Sequence, residues 1–392
     1  MLRLFLVIVL LSLAFLLPAQ SVVISDVRIV DVRNGTVSGP INILVSEGRI
    51  VEISRDNNLL NRPGVTVIDG EGNYASPGLS EMHAHIPSPN QGSEYTMDVL
   101  FLYLSNGITN IRGMLGHPNH LELRTKAISN EILSPRIYTS SPSLNGNSVP
   151  SVEVAQKKVQ QYAEEGYDFL KIHPGIKLEV FREIVRASEE YGIEFSGHVP
   201  VDVGIWRALE FGYGTVDHMD GFLEGLVPES ARVNPNDNGF FGYNFTDLAN
   251  EETIPELVAL VRQTRVWVVP TQSLFDRWFS PMDVDELAKA PEMKYMPRET
   301  IQAWVKSKKD LVGSEEYSAE KWGRFINIRR KLIKSLHDQG YGLLLGSDAP
   351  QVFNVPGFSI HHEMDGMKKA GLSNLEILRT GTVNPAIYMG ME

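Results

Sequence analysis

From residue 76 to residue 348 the sequence alternates short apolar runs with amphipathic stretches of helical periodicity. Eight of these runs are candidate strands, at residues 76–86, 109–114, 136–140, 169–173, 194–198, 215–218, 266–271 and 342–348. Between two of them, Val152, Ala155 and Val159 share one helical face, and the helix is expected to end at Gly166. Repeated strand–helix units predict an α/β fold with a parallel sheet, and eight of them predict a (β/α)8 TIM barrel.

An open doubly wound sheet is the alternative architecture, and it would need a phosphate-binding glycine turn between a strand and a helix. The run Gly70–Ala75 matches the dinucleotide pattern GxGxxA, but Ser76-Pro77-Gly78 follows it instead of a helix. The barrel is therefore favoured.

The segment before the barrel has a different pattern. Residues 21–75 contain β-branched runs separated by the turn-forming pairs Asn34-Gly35 and Glu47-Gly48. We therefore expect a small N-terminal β domain, sandwich-like, over residues 21–75 and the barrel over residues 76–392.

The first twenty residues are typical of a signal peptide. Arg3 supplies a positive charge, Leu4–Leu17 is apolar apart from Ser12, and small residues for cleavage follow at Pro18-Ala19-Gln20-Ser21. The apolar run of 14 residues is shorter than the ~20 that span a bilayer, so an uncleaved anchor is the less favoured reading. We expect an exported protein, periplasmic or secreted, with no membrane attachment after cleavage.

Composition excludes several functional classes. The chain has no cysteine, so any metal must be held by histidines and carboxylates. The formal net charge of −12 provides no basic surface for nucleic acid. We expect a small-molecule or dipeptide substrate as the partner.

Polar residues occur where several of the predicted strands end. They are His83, His85, Lys171, His198, His218 and Asp348. Residues two apart in a strand point to the same side, so His83 and His85 can approach one ion together. Barrel enzymes build their sites at the carboxyl ends of the strands, and imidazole with carboxylate suits zinc or a similar divalent ion. Singly, each residue is more simply explained as structural, but as a set they predict a metal site.

Two further residues are candidate substrate contacts. Arg112, at the end of the second predicted strand, is expected either to face a substrate carboxylate or to support the metal ligands. His173 lies on the same strand face as Lys171, and it is expected to touch substrate or metal, or to act from behind the ligands.

The ordered motifs PGLSEMHAHI, FLKIHPG, FSGHVP, TVDHMDG and LLLGSDAP resemble those of the amidohydrolase superfamily, in its subtype with two metals bridged by a carboxylated lysine. The segments 109–112 and 136–146 resemble the imidazolonepropionase-like and Xaa-Pro dipeptidase branch. The resemblance implies that His83, His85 and Asp348 bind one metal and that His198 and His218 bind the other. It implies a carboxylated Lys171 as the bridge, with zinc as the expected ion and manganese, cobalt or iron as alternatives.

The function expected from these residues is metal-dependent hydrolysis of a C–N bond, in an amide or a dipeptide such as Xaa-Pro. A metal-bridging hydroxide would attack the carbonyl group, and Asp348 would carry the proton to the leaving amine. The same site could instead hydrolyse a lactone or a phosphotriester. A third hypothesis is an inactive, truncated barrel that serves as a binding protein.

Two regions leave further alternatives open. The sequence ends at Glu392, soon after Thr382–Ala386, whereas members of the superfamily usually continue with strands that return to the small sheet. The small domain is therefore expected to be incomplete or built from the N-terminal segment alone, and an uncovered sheet edge would favour homo-oligomers. The insertion at residues 272–341 is expected either to form a lid over the site or only to pack against the barrel.

Overall fold

The computed structural model describes residues 21–391, so the expected signal peptide lies outside the described residues. The chain divides after Pro77 into two units. The strands of the first unit are β1 (Ser21–Ile29), β2 (Ile41–Ser46), β3 (Arg49–Ser54), β4 (Val65–Asp69) and β5 (Tyr74–Ala75). They form a mixed sheet, in which β1 pairs antiparallel with β2 and parallel with β4 and β5, and β3 pairs with β2.

Parallel strands form the inner wall of the second unit, in two runs. The runs are β6 (Leu79–Ala84), β7 (Ile108–Gly113) and β8 (Arg136–Thr139), then β9 (Phe169–Ile172), β10 (Glu194–Gly197), β11 (Thr215–Asp217) and β12 (Trp267–Val269). A parallel backbone bridge between Ser140 and Phe169 joins the two runs. Seven of the eight predicted strands are therefore present, most of them shorter than expected.

The eighth predicted strand, at residues 342–348, is an irregular segment that still closes the barrel. Leu344 N–H donates to the carbonyl of Val268 on one side, and Met82 N–H donates to the carbonyl of Leu345 on the other. The segment departs from strand geometry because Ser347 N–H binds a side chain rather than a neighbouring strand. The predicted α/β barrel is confirmed, with this segment in the eighth position.

Helices surround the barrel, as the apolar periodicity predicts. They are α1 (Ser93–Ser105), α2 (Pro118–Ile128), α3 (Val152–Glu165), α4 (Leu178–Tyr191), α5 (Ile205–Glu210), α6 (Ile254–Thr264), α7 (Gln272–Arg277), α8 (Val284–Ala288), α9 (Arg298–Val312), α10 (Ala319–Gln339), α11 (Phe358–Lys369), α12 (Asn374–Gly381) and α13 (Val383–Tyr388). α3 ends at Gly166, whose φ of 81° is a left-handed conformation that glycine adopts without a steric cost. None of the helices within residues 21–391 combines the length and the hydrophobicity that a bilayer-spanning segment needs.

The insertion at residues 272–341 contains α7 to α10. α10 packs on the barrel through buried apolar residues, and its Arg329 donates hydrogen bonds to the carbonyls of His218 and Pro270. α8 and α9 contribute Leu287 and Trp304 to a separate apolar cluster with Phe353. α10 is therefore a packed part of the barrel wall.

Candidate metal centre

Three side chains form a compact group of possible metal ligands at the carboxyl end of β6, the first strand of the barrel. His83 Nε2 lies 3.4 Å from Asp348 Oδ1, and His85 Nε2 lies 3.0 Å from the same oxygen. One ligand atom from each residue lies within 4.8 Å of the others. His83 is buried, whereas His85 exposes 23% of its side chain. The group is therefore open to solvent on the side of His85.

His218 and His198, the other two histidines predicted as ligands, lie next to this group. The ring centroid of His218 is 4.4 Å from that of His83 and 4.6 Å from that of His198. His218 Nδ1 lies 3.9 Å from Asp348 Oδ2, so the two oxygens of Asp348 face different histidines. His173 follows at the far end, with its ring centroid 5.0 Å from that of His198. The structure thus brings five predicted histidines into one continuous group, three of which lie next to Asp348.

Lys171 lies at the base of the same group. Its side chain is 1% exposed, and Nζ is 4.0 Å from Asp217 Oδ2. Burial lowers the pKa of Lys171 to about 8, although the negative charges of Asp217 and Asp348 oppose this shift. About one tenth of the amine is therefore neutral at pH 7, far more than for an ordinary lysine.

Two of the strand-end residues adopt a backbone conformation that is uncommon outside glycine. His218 and Asp348 both have φ of 62°, in the left-handed region. Such a conformation costs of order 1–3 kcal/mol and persists where the surrounding structure enforces it, often at functional sites. The strain coincides with the two residues whose side chains meet across the group.

Four of these histidines have a lowered pKa, which favours the neutral form that metal coordination requires. Burial, followed by the positive charge of Lys171, lowers the pKa of His198 to about 3 and that of His173 to about 2. Burial also holds the pKa of His83 and that of His218 well below the ordinary value. A neutral imidazole keeps a nitrogen lone pair available for an ion.

Side chains that the sequence reasoning missed orient these rings. Asp220 Oδ2 accepts a hydrogen bond from His198 Nδ1 at 2.9 Å, and Thr271 Oγ1 lies 2.9 Å from His218 Nδ1. Ser143 Oγ lies 2.5 Å from His173 Nδ1. Partners of this kind fix the ring orientation and are typical behind metal-binding histidines. Asp220 could have been noticed from its position two residues after His218, but Thr271 and Ser143 carry no signal in the sequence.

Asp217 is another residue that the sequence reasoning missed. It is fully buried, and its Oδ2 lies 3.2 Å from His83 Nδ1. It lies next to His218 in the sequence, within the motif TVDHMDG, and that position is the signal that could have identified it. The carboxyl oxygen Oδ2 of Asp217 therefore lies close to both Lys171 and His83.

The donor set fits a divalent cation. Among the described residues, four buried polar atoms of this group have no hydrogen-bond partner: His83 Nδ1, Lys171 Nζ, Asp217 Oδ2 and Asp348 Oδ1. Buried polar atoms without partners are costly, and their concentration at one place is a common mark of a binding site. Neutral imidazoles with carboxylate oxygens are ligands that zinc and similar ions prefer.

Arg112 is placed away from this group, so the expectation that it faces a substrate carboxylate does not match the structure. Its side chain is 1% exposed and donates to the carbonyl of Met82 and to Thr215 Oγ1. Its guanidinium lies over the ring of Phe169, the first residue of β9. Arg112 therefore points toward the amino-terminal ends of the strands. The alternative role, support of the candidate metal ligands, fits the distance of 3.8 Å between Arg112 Nη1 and Asp217 Oδ1.

The fold and the site together define a class: α/β-barrel proteins whose candidate site is built from histidines and carboxylates at the carboxyl ends of the strands. Residues 74–392 match the model of the amidohydrolase family. The chain belongs to this family, which confirms the resemblance seen in its motifs.

Solved structures with the same fold include several amidohydrolases. The chain is similar to a bottromycin amidohydrolase, with 22% identity, a TM-score of 0.69, and coverage of 95% of this chain and 79% of that one. It is also similar to a prolidase-like protein from Bifidobacterium longum, with 20% identity, a TM-score of 0.64 and coverage of 95% and 84%. A Xaa-Pro dipeptidase with bound methionine has 17% identity, a TM-score of 0.62 and coverage of 95% and 89%. At these identities the likeness establishes the fold alone.

Two curated relatives match over short segments. A dihydroorotase of Trichlorobacter lovleyi is 31% identical over 81 residues, and one of Carboxydothermus hydrogenoformans is 38% identical over 70 residues. The matches cover 21% and 18% of this chain, and only 18% and 15% of the dihydroorotases themselves. They support the family assignment without extending to the whole enzymes.

Proposed function

We propose that this chain is an exported, metal-dependent amidohydrolase that cleaves the C–N bond of an amide or dipeptide, including Xaa-Pro dipeptides. The observation that carries the proposal is the position of Asp348. Its carboxylate is buried and lies 3.0 Å from His85 and 3.9 Å from His218, beside the partly exposed His85 through which the histidine cluster meets solvent. Prolidase-like and Xaa-Pro dipeptidase structures among the neighbours support the dipeptide class.

The proposed cofactors are two divalent ions, with zinc first among the candidates. His83, His85 and Asp348 would hold one ion, and His198 and His218 would hold the other, while Lys171 would bridge them after carboxylation. Ions bound there would supply Lewis acidity, which makes water a nucleophile near neutral pH and polarises a carbonyl group. The neutral histidines and the unpartnered Asp348 oxygen support this assignment.

The environment of Lys171 supports the proposed carboxylation. A neutral amine attacks carbon dioxide, a new N–C bond forms, and one proton is released as the carbamate anion appears. Burial lowers the pKa of Lys171 to about 8, so the neutral amine required for this step is available at physiological pH. The product is an anionic carboxylate on a long side chain, which can reach a cation that an ammonium group would repel.

Asp348 is the proposed proton carrier of the hydrolysis. As the water oxygen bonds to the carbonyl carbon, a proton passes to the Asp348 carboxylate. The same proton then goes to the leaving nitrogen, the C–N bond breaks, and an amine and a carboxylic acid are released. Asp348 is 4% exposed, so bulk water does not compete for this proton.

The decisive experiment combines metal analysis with a substrate screen. We expect about two ions per purified chain, in keeping with a two-metal site. We also expect the zinc- or manganese-loaded protein to hydrolyse members of a dipeptide and N-acyl amino acid library, with lactones and organophosphates tested in parallel. Full activity of the metal-free protein would contradict the proposal, and turnover of lactones or phosphotriesters alone would reassign the substrate class.

A further inference from the structure

Phe241 brings an aromatic ring into contact with two of the candidate metal ligands. It lies in the loop between β11 and α6. Its ring centroid is 5.8 Å from that of His198 and 5.3 Å from that of His218. Phe241 is only partly buried, and His198 exposes 14% of its side chain. A partly exposed apolar ring therefore lies directly beside the candidate metal centre.

The backbone of Phe241 adopts a conformation that a bulky residue rarely takes. Its φ of 50° and ψ of 48° lie in the left-handed region. Gly239 and Gly242, on either side, also have positive φ, at 70° and 81°. A left-handed aromatic residue is sterically unfavourable, and such strain persists where the surrounding structure enforces it, often at functional sites. The loop therefore holds Phe241 in a position that its own backbone preference would not provide.

The neighbours of Phe241 in the sequence anchor this loop. The ring of Phe240 packs on that of Phe279, with the centroids 4.8 Å apart. The hydroxyl of Tyr243 donates to the carbonyl of Ser318 and accepts a hydrogen bond from the Ser318 N–H. Phe279 and Ser318 both belong to the insertion that contains α7 to α10. The insertion thus fixes Phe241 against the histidines.

The contact with His198 leaves part of the Phe241 ring uncovered. The two ring planes are inclined by 26° at 5.8 Å between centroids, which is an offset stack rather than a full overlap. The buried ring of Phe275 meets Phe241 edge to face, at 5.2 Å between centroids. An apolar group of a bound molecule would be stabilised on the exposed part of the ring, because both surfaces would leave water.

His198 also has a polar neighbour. The ring centroid of His173 lies 5.0 Å from that of His198, and Ser143 Oγ lies 2.5 Å from His173 Nδ1. Hydrogen-bonding groups of a substrate therefore find partners near His173, whereas the ring of Phe241 offers none. A polar substituent placed against Phe241 would lose its water without a replacement partner, which is unfavourable.

We propose that Phe241 is a specificity-determining residue, whose ring binds an apolar side chain next to the scissile bond of the substrate. The inference rests on the proposed function, and it narrows the substrate class to amides or dipeptides that carry an aliphatic side chain. The contact forms in the bound substrate and persists in the transition state. It should therefore act mainly on KM rather than on kcat.

Leucine and asparagine side chains test this proposal, because they share a branched shape and differ in polarity. In the dipeptide series that the screen identifies, they are compared on either side of the scissile bond. On one side we expect kcat/KM of wild type to be at least tenfold higher for leucine. Phe241→Ala should reduce this preference below threefold, mainly by raising KM for the leucine substrate. Phe241→Leu should retain most of it, because the side chain stays apolar.

Phe101→Ala is the matched control, because it removes an exposed aromatic ring from α1. We expect this variant to keep the preference of wild type, and we expect every variant to keep its metal content. Equal rates of wild type on the two substrates would overturn the proposal. An equal loss on both substrates in Phe241→Ala, or loss of its metal, would also overturn it, since the ring would then only cover the histidines.

Calorimetric titration with L-leucine and L-asparagine separates this inference from the proposed function. If no substrate is hydrolysed at all, the proposed function fails, and binding of the two amino acids decides the role of Phe241. Saturable binding of leucine at least tenfold tighter than that of asparagine, lost in Phe241→Ala and kept in Phe101→Ala, would support an apolar site at this ring. Equal affinities, or no saturable binding of leucine, would then overturn it.

Discussion

The carboxyl group of Glu81 accepts two hydrogen bonds from Ser347, one from its N–H at 2.8 Å and one from its hydroxyl at 2.5 Å. The same carboxyl also accepts the N–H of His83 at 3.0 Å. Glu81 is fully buried, and burial raises its pKa to about 8. It therefore connects the first strand to the closing segment beside two candidate ligands, His83 and Asp348.

Two substitutions of Glu81 should distinguish the loss of its hydrogen bonds from the loss of its ionisable group. In Glu81→Gln the new amide could accept both N–H bonds through its oxygen and donate to the Ser347 hydroxyl, so the free energy of unfolding should change by less than about 1 kcal/mol. Glu81→Ala leaves two buried N–H groups unpaired and should cost about 2–4 kcal/mol. Urea unfolding of the metal-free variants measures both values, and an alanine variant as stable as wild type would contradict this role.

Asp348→Asn should abolish most of the proposed activity. The amide keeps the shape of the side chain but cannot take up a proton as a carboxylate does, so we expect kcat to fall by roughly 10²–10⁴-fold. Asp365→Asn is the control, because Asp365 is exposed on α11. Steady-state kinetics on the best substrate of the screen, with metal content measured in parallel, distinguish lost proton transfer from lost metal. Retained turnover in Asp348→Asn would exclude Asp348 as the proton carrier.

The convergence of the candidate ligands could be predicted from the sequence because a barrel brings the carboxyl ends of its strands to one rim. His83, His85, His198, His218 and Asp348 all follow short apolar runs, and they meet in the structure. The partners that orient the rings were not predictable in the same way. Thr271 meets His218 from the next strand along the barrel, and only the folded geometry reveals such a pair.

The position of a long side chain along the barrel axis could also not be predicted from the sequence. Arg112 lies near the carboxyl end of β7, yet its long side chain extends to Thr215 and Phe169 at the starts of neighbouring strands. Strand alternation indicates which face a residue occupies, but it does not indicate which way a flexible side chain runs along the barrel axis. The irregular path of residues 342–348 escaped prediction because it depends on the side chain of Glu81.

Lys171 should carry the carbamate, and a second buried lysine provides the control. Lys308 Nζ donates to the carbonyls of Arg277, Trp278 and Ser280, whereas Lys171 Nζ has no hydrogen-bond partner among the described residues. Burial lowers the pKa of both lysines to about 8, but only the ammonium of Lys308 is stabilised by acceptors.

After exchange into ¹³C-bicarbonate, we expect one carbamate signal in the ¹³C NMR spectrum of the metal-loaded protein. Lys171→Met should lose this signal together with metal content, and Lys308→Met should keep both. A signal that survives in Lys171→Met would place the carbamate elsewhere.

Removal of metal should destabilise the protein, because a ligand that binds only the folded state adds to its free energy of unfolding. Thermal unfolding before and after dialysis against a chelator measures the effect, and we expect the melting temperature to recover when zinc is added back. His85→Ala should reduce the difference between the two forms, because His85 belongs to the compact ligand group. An identical melting temperature with and without chelator would argue against a tightly bound ion.

Glu363 should make stability fall as the pH rises. The residue is fully buried, its Oε2 accepts a hydrogen bond from Ser273 N–H, and its Oε1 has no hydrogen-bond partner in the described chain. Burial raises its pKa from 4.5 to about 7, so the folded state retains a proton that the unfolded state loses. This contribution is complete below pH 4.5 and is lost as the pH rises through about 7. Its upper limit is about 3 kcal/mol.

Glu363→Gln resembles the protonated side chain at every pH, so the variant should lack this part of the pH dependence. Urea unfolding of the metal-free proteins at about pH 5 and about pH 8 isolates the effect, since groups common to both proteins cancel in the comparison. Glu229→Gln, which removes an exposed carboxylate, controls for the change in net charge. If wild type and Glu363→Gln lose the same free energy between the two pH values, Glu363 is ionised in the folded protein and its burial is offset by the neighbouring cation Arg329.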